Sequence, residues 1–181
     1  MKEIIRRAVV LLVTTAVAAA LLGAVESITE GPIAIANENA QNEALRTAMP
    51  DAASFTDVDA ELTGTISLIK EALDANGEPI GYVIVANPSG FGGAVPTTVG
   101  FDMNGVITGV SIQTPSETPG LGARATEPEF MDQFTGMTGT LAVTKDGGQV
   151  QAITAATITS RAVVSGINEA YTWFTENGGA N

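Results

Sequence analysis

An uncharged apolar run near the N-terminus constrains this chain more than any other feature of its sequence. The run covers residues 8–25 and is rich in Val, Leu and Ala. As a helix rising 1.5 Å per residue it would be about 27 Å long, which is close to the hydrocarbon thickness of a bilayer. The run therefore predicts one transmembrane helix, preceded by a short N-terminal segment of residues 1–7.

Charges on either side of this run predict its orientation. Basic residues precede it and acidic residues follow it: Lys2, Arg6, Arg7, Glu26 and Glu30. The positive-inside rule then predicts a cytoplasmic N-terminus, with the rest of the chain outside the cell (inner) membrane. A cleaved signal peptide is the alternative, because residues 18–20 are small. Since the run continues through Leu22, we expect a retained single-pass anchor.

The composition excludes several kinds of site. The chain has no Cys and no His, and its formal net charge is −12. Disulfides, thiolate nucleophiles, iron–sulfur clusters and c-type haem attachment all require Cys. The absence of His removes the commonest metal ligand and acid–base group, and the acidity makes nucleic acid a poor partner. If this chain carries electrons, an organic cofactor must do so, and we predict no metal site and no catalytic residues.

The remainder of the chain predicts a stalk and one α+β domain. Residues 26–52 read as a linker followed by a short helix, residues 53–176 as an extracytoplasmic domain, and residues 177–181 as a tail. Asn-Gly pairs between β-prone segments are typical of hairpins. We expect an antiparallel sheet with one buried face and flanking helices, formed by residues 65–69 with 80–85, and 97–101 with 106–112.

A cluster of hydroxyl side chains precedes the last predicted helix. Apolar residues recur at helical spacing after it, at Val163, Val164, Ile167, Ala170, Tyr171 and Phe174. The pattern predicts a helix that begins near Ser160, capped by Thr159 or Ser160, with Thr157 just before it. The amides of such a helix start attract anions such as phosphate. An ordinary capped helix explains the same residues, and the pattern by itself favours that interpretation.

Two segments resemble motifs of the FMN-binding domain family. The hydroxyl-rich segment resembles the family pattern Asp-x-x-Ser/Thr-Gly-Ala-Thr, whose last Thr carries FMN through a phosphoester bond, and residues 117–122 match its Glu-Thr-Pro-Gly-Leu-Gly loop. Their order and the N-terminal anchor are similar to the G subunits of Rnf-type electron-transport complexes. Two departures stand out: Gln151 replaces the Asp, and Ala155 replaces the Gly. Ala155 must therefore avoid positive φ or bear its strain.

The resemblance implies covalent FMN on Thr157. It implies that the phosphate lies among Thr154, Ala156, Thr157, Ile158, Thr159 and Ser160, and that the flavin ring lies against Glu117, Thr118, Gly120, Leu121 and Gly122. Residues 89–93 are Gly-rich; we interpret them as a flexible connection, with Phe91 against the cofactor as the alternative.

The same resemblance implies an electron-carrying flavoprotein subunit of a membrane-bound ion-translocating ferredoxin:NAD⁺ oxidoreductase. Its partners would be the other membrane and redox subunits, and a flavin transferase that uses FAD and Mg²⁺ for maturation. A stand-alone extracytoplasmic flavin reductase and a binding module without flavin are the alternatives. Acyl transfer is remote, because a Ser or Thr nucleophile here has no His or Cys partner.

Overall fold

A computed structural model describes residues 1–114 and 116–178. The chain forms two compact units, Met1–Asn42 and the residues from Glu43 onward. Its helices and strands follow in the order α1 (Lys2–Ala48), β1 (Ser54–Asp57), β2 (Ile66–Leu73), β3 (Pro79–Ala86), β4 (Thr97–Asp102), β5 (Ile107–Ile112), α2 (Pro128–Met131) and α3 (Thr157–Trp173).

The first unit is a single apolar helix. α1 is long and apolar enough to cross a membrane. The predicted linker and separate short helix are wrong, because α1 continues through Pro32 to Ala48. A proline inside a helix removes one N–H donor and crowds a carbonyl of the preceding turn, but the Ala and Glu residues on either side of Pro32 favour the helical conformation.

The second unit is built on an antiparallel sheet with the strand order β1-β2-β3-β4-β5. Both predicted hairpins are confirmed, and β1 adds an edge strand paired with β2. The two hairpin turns share one local design: an Asp carboxylate accepts two amide hydrogen bonds, and a Gly takes positive φ. The pairs are Asp74 with Gly77 (φ 83°) and Asp102 with Gly105 (φ 76°).

Both faces of the sheet are covered, whereas the sequence predicted one buried face. α3 packs on one face, where the buried residues include Ile84, Val99, Phe101, Val163 and Ile167. The last turn of α1 covers part of the other face through Leu45, Ala48, Met49, Ala72 and Val83. The second cover was missed because the sparse apolar residues of this turn give no strong amphipathic signal by themselves.

α3 and its extension close the domain. The predicted apolar face of α3 is buried at Val163, Val164, Ile167 and Ala170. A π-helical turn, Phe174–Gly178, follows the helix, and its Phe174 ring stacks on Phe101 at 5.5 Å between ring centres. Residues 177 and 178 of the predicted tail belong to this turn, and residues 179–181 lie outside the described residues.

Candidate functional site

A cleft of about 300 Å³ opens beside the start of α3. Three segments contribute to it: the 89–93 connection through Phe91, the 117–122 loop, and the residues around the N-terminus of α3. Its lining residues are Phe91, Glu117, Thr118, Leu121, Gly122, Ala155, Ala156, Thr157, Ile158 and Thr159. The two segments singled out in the sequence therefore meet in space at one concave site.

Three residues predicted for this site do not line the cleft. Thr154 faces a smaller groove of about 140 Å³, which it shares with Arg124 and Gln151. Ser160 is fully buried behind the cleft, and Gly120 occupies a turn at φ 76°. The structure brings together the other predicted residues, namely Glu117, Thr118, Leu121, Gly122, Ala156, Thr157, Ile158 and Thr159.

The start of α3 differs from the prediction. The helix begins at Thr157, its N-cap position is Ala156, and no side chain of the described residues caps it there. The predicted capping by Thr159 or Ser160 is wrong, because both already lie in the first helical turn. The Ser160 hydroxyl donates to the Ala156 carbonyl and accepts from the Ile153 amide. The first-turn amides consequently remain available beside the cleft for an anionic group.

Ala155 bears the strain that its sequence position suggested. Its φ is +62°, and among the described residues it is the one non-glycine with positive φ. This left-handed conformation costs an L-residue about 1–2 kcal/mol, because Cβ approaches the following carbonyl oxygen. Ala155 lies immediately before the N-cap residue Ala156 and lines the cleft, so the strain lies at the site itself.

Glu117 connects the three segments of the cleft. The residue is 7% exposed, and one oxygen of its carboxylate accepts hydrogen bonds from the Phe91 amide at 2.7 Å and the Gly92 amide at 3.2 Å. The other carboxylate oxygen accepts from the Thr159 hydroxyl at 3.1 Å. The sequence indicated Glu117 as a ring contact; its hydrogen bonds show that it holds the walls of the cleft together.

Apolar side chains stand exposed around the cleft. Phe91 is 70% exposed, Ile158 53% and Leu121 41%. Phe91 was interpreted as part of a flexible connection, but its amide is fixed by Glu117 and its residue lines the cleft. The aromatic ring between two glycines was the available signal. Exposed large apolar side chains gathered around one concavity are typical of a ligand site.

Lys145 is a site residue that the sequence interpretation missed. Its ammonium donates to the Thr157 hydroxyl at 2.9 Å. The neighbouring Asp146 carboxylate receives two hydrogen bonds from Arg161, at 2.6 and 2.7 Å, which lower the pKa of Asp146 and raise that of Arg161. The available signal was a lysine twelve residues before Thr157 in a strongly acidic chain.

The residues present fit FMN. The apolar walls suit a flat ring, and the hydroxyl, ammonium and helix amides beside Thr157 suit a phosphate. Any side chain at position 122 would overlap the Glu117 carboxylate and crowd Thr159. The glycine there leaves this space to Glu117 and Thr159. The volume lies at the lower end of the range for small-molecule sites, about 300–1,000 Å³.

Comparisons with known proteins agree with this geometry. The FMN-binding domain family matches residues 90–172, a range that contains every residue lining the cleft. The chain is 37% identical over 175 residues to the G subunit of the ion-translocating oxidoreductase complex of Methanosarcina acetivorans, covering 93% of each chain. It is also 37% identical to the G subunit of the Na⁺-translocating ferredoxin:NAD⁺ oxidoreductase complex of Acetobacterium woodii, covering 92% of this chain and 89% of the relative.

A solved structure shares the fold. The C subunit of the Na⁺-translocating NADH-quinone reductase from Parabacteroides distasonis superposes with a TM-score of 0.56 at 18% identity. The match covers 77% of this chain and 92% of that one. The antiparallel sheet with flanking helices therefore also occurs in a solved structure.

Proposed function

This chain belongs to the family of G subunits of ion-translocating oxidoreductase complexes, and we propose that it is the electron-carrying flavoprotein subunit of an Rnf-type ferredoxin:NAD⁺ oxidoreductase, with FMN joined to Thr157 by a phosphoester bond. The other membrane and redox subunits of the complex are its partners. A flavin transferase, supplied with FAD and Mg²⁺, matures it.

The observation that carries this proposal is the position of the Thr157 hydroxyl. It lies at the first residue of α3, in the lining of an apolar cleft, and receives a hydrogen bond from Lys145. The neighbouring hydroxyls are less well placed to accept FMN. Thr159 and Ser160 are 1% and 0% exposed and already hydrogen-bonded, while Thr154 faces the other groove.

In this proposal the chain binds and orients its cofactor. FMN supplies the electron transfer itself. Phe91, Leu121 and Ile158 exclude water from one side of the ring site, and Lys145 and the first-turn amides of α3 offset the charge of the phosphate. A covalent bond retains the flavin outside the membrane, where a dissociated flavin would be lost by dilution.

Single substitutions of the hydroxyl residues test the attachment. We expect Thr157→Ala, co-expressed with the transferase, to yield a folded, colourless protein, because the change removes the acceptor atom and little packing. Thr157→Ser should keep part of the flavin. Gel fluorescence and peptide mass analysis report the outcome, and Thr154→Ala is the matched control. Fluorescence that survives Thr157→Ala would contradict the proposal.

A binding module without flavin is the second candidate, and the strained Ala155 is the observation that favours it. Gln151 in place of the family's Asp is weaker support for this candidate. Gln151 is exposed in the smaller groove, and its backbone amide is held by Gln133 at 2.8 Å. Unmutated protein that stays colourless after co-expression with the transferase would establish this candidate instead.

We also propose that residues 8–25 of α1 cross the membrane with the N-terminus in the cytoplasm. The length and apolarity of α1 support the span, and the basic residues before it support the orientation. Protease added to sealed right-side-out cells should digest the domain and leave an N-terminal stub with the membrane. A soluble secreted product that begins after Val25 would be incompatible with this topology.

A further inference from the structure

We propose that Lys145 positions the Thr157 hydroxyl for FMN transfer and afterwards binds the phosphodiester that the transfer creates. This inference rests on the proposed attachment at Thr157. It assigns a role to a residue outside both motifs, and it starts from one contact, the 2.9 Å hydrogen bond from the Lys145 ammonium to the Thr157 hydroxyl oxygen.

Lys145 differs from the other basic residues near the sheet and α3 in its partners. Lys70, Arg124 and Arg161 each form salt bridges with carboxylates. Over residues 1–114 and 116–178, Lys145 forms none. Its positive charge is therefore directed at a neutral hydroxyl, an arrangement that becomes a charge-assisted contact once that hydroxyl carries a phosphate.

The turn that carries Lys145 is tied to the helix that carries Thr157. Thr144–Asp146 form a 3₁₀ turn that ends at Gly147 with φ 85°. Asp146 holds Arg161 by two hydrogen bonds, and Arg161 lies four residues after Thr157, on the same side of α3. Successive residues of the turn thus contact successive turns of the helix, which fixes the Lys145 backbone beside the acceptor.

A cation at this place suits the chemistry of transfer. The Thr157 oxygen attacks the phosphorus of FAD on its riboflavin side; the new O–P bond forms as the pyrophosphate bond breaks, and AMP leaves. The hydroxyl proton passes to the transferase or to solvent, and nothing is oxidised or reduced. Positive charge at Lys145 stabilises the developing negative charge on the attacking oxygen. In the product it faces a phosphodiester anion, in a chain whose net charge is −12.

Transfer kinetics on the full chain in detergent test this assignment. The variants are Lys145→Met, which keeps an unbranched chain of nearly the same length without the charge, and Lys145→Arg, which keeps the charge. Lys70→Met, which removes an equal charge from β2, is the matched control. With purified transferase, FAD and Mg²⁺, we expect Lys145→Met to lower kcat by about tenfold or more, the usual size of a lost charge-assisted hydrogen bond. KM for the acceptor chain and the Tm of unmodified protein should stay unchanged.

The remaining outcomes separate the possible roles. Lys145→Arg should recover most of kcat, and Lys70→Met should match the unmutated chain. In flavin-loaded protein, the ³¹P resonance of the phosphodiester should move in Lys145→Met and not in Lys70→Met. Equal kcat for Lys145→Met overturns the inference, as does a rise in KM alone, which would assign Lys145 to transferase docking. Absence of flavin from the unmutated chain overturns the proposed function together with this inference, whereas unchanged kinetics overturn only the inference.

Discussion

At the scale of single residues, Glu117 has the widest reach in the site. One buried carboxylate accepts from two backbone amides of the 89–93 connection and from a hydroxyl of α3. Hydrogen bonds to a buried charged group contribute more than neutral ones, and removing the acceptor leaves the donors without partners. Glu117 therefore fixes the backbone that carries the exposed Phe91 side chain.

Replacing Glu117 tests this connection. We expect Glu117→Ala to lower the free energy of unfolding by about 2–3 kcal/mol, because one buried hydroxyl and two partly buried amides lose their acceptor. Glu117→Gln should cost less, since its amide oxygen can still accept from the Phe91 amide while its NH₂ donates to Thr159. Urea denaturation of the full chain in detergent gives the values, and hydrogen exchange at Phe91 and Gly92 reports the loosened connection. An alanine variant as stable as the unmutated chain would contradict this role.

Ala155 is the second residue whose effect is local. We expect Ala155→Gly to raise the free energy of unfolding by about 0.5–1 kcal/mol, because relief of the left-handed strain exceeds the added entropy of the unfolded chain. Flavin occupancy should stay the same or rise slightly.

Ala75→Gly is the matched control for this change. Ala75 is also exposed in a turn, but it does not have positive φ. The same substitution there should lower stability by about 0.4–1 kcal/mol, since only the entropy of the unfolded chain changes. Denaturation curves of both variants decide the matter. A destabilising effect at both positions would show that Ala155 bears no strain, and a large rise in flavin from near zero would favour the module without flavin.

At the scale of elements, the short 144–146 turn is joined to the 17-residue helix α3 by side-chain contacts. The turn is pinned to the helix by the paired Asp146 and Arg161, side chains that both remain partly exposed. Because this pair orients the turn that carries Lys145, it affects the site without touching the cleft.

We expect the contribution of the Asp146–Arg161 pair to the free energy of unfolding to be lost in acid. Arg161 lowers the pKa of Asp146 below its ordinary value of 3.8, so the folded state binds the proton less readily than the unfolded state. The contribution is present in full above pH 3.8 and disappears as the pH falls through the lowered pKa. The gap in unfolding free energy between the unmutated chain and Asp146→Asn should therefore narrow below pH 3.8.

Denaturation at pH values between neutral and acid measures this gap directly. The pKa of Asp74 is lowered as well, by the Glu78 and Asn76 amides, but Asp74 is present in both proteins and cancels in the comparison. A gap that stays constant through the acid range would show that Asp146 gains nothing from Arg161.

At the scale of the whole molecule, the folded domain includes the end of α1. The compact unit begins at Glu43, ten residues before the predicted boundary at residue 53. Gly100 and Gly109 lie so close to the carbonyls of Ala48 and Thr47 that a side chain at either position would collide with them. The Thr108 hydroxyl also donates to the Ala48 carbonyl at 2.6 Å. The last turn of α1 is thereby built into the domain.

Two fragments test the boundary. One that begins at Glu43 keeps Leu45, Ala48 and Met49, whereas one that begins at Ala53 leaves Ala72 and Val83 uncovered. We expect the shorter fragment to be less stable by about 3 kcal/mol or more, the value of burying two large apolar side chains. Thermal and urea denaturation of the purified fragments provide the comparison. If the two fragments are equally stable, the folded domain begins at residue 53 and not at Glu43.

Features that depend on local chemistry were predictable from the sequence alone. The Asn-Gly hairpins form because an Asp and a Gly satisfy the turn within a few residues, and the apolar run of α1 shows in composition alone. The hydroxyl-rich segment was assigned to a site, but the start of α3 was misplaced, because the hydroxyls of Thr159 and Ser160 form their hydrogen bonds from within the first helical turn. Ser160 is hydrogen-bonded to Ala156 and Ile153, whereas Thr159 is hydrogen-bonded to a carboxylate of another segment. The partner of Thr159 lies 42 residues away, at Glu117.

Tertiary structure decided what no local pattern contains. Lys145 meets Thr157 where the Asp146–Arg161 pair holds its turn against α3, and Phe91 lines the cleft with its amide fixed by Glu117. The last turn of α1 covers the sheet because two glycines on neighbouring strands admit its carbonyls. Turn and helix propensities act over a few residues, whereas these contacts join segments whose proximity depends on how the sheet and α3 pack, so the sequence determined the elements and the motif, and the packing determined the site.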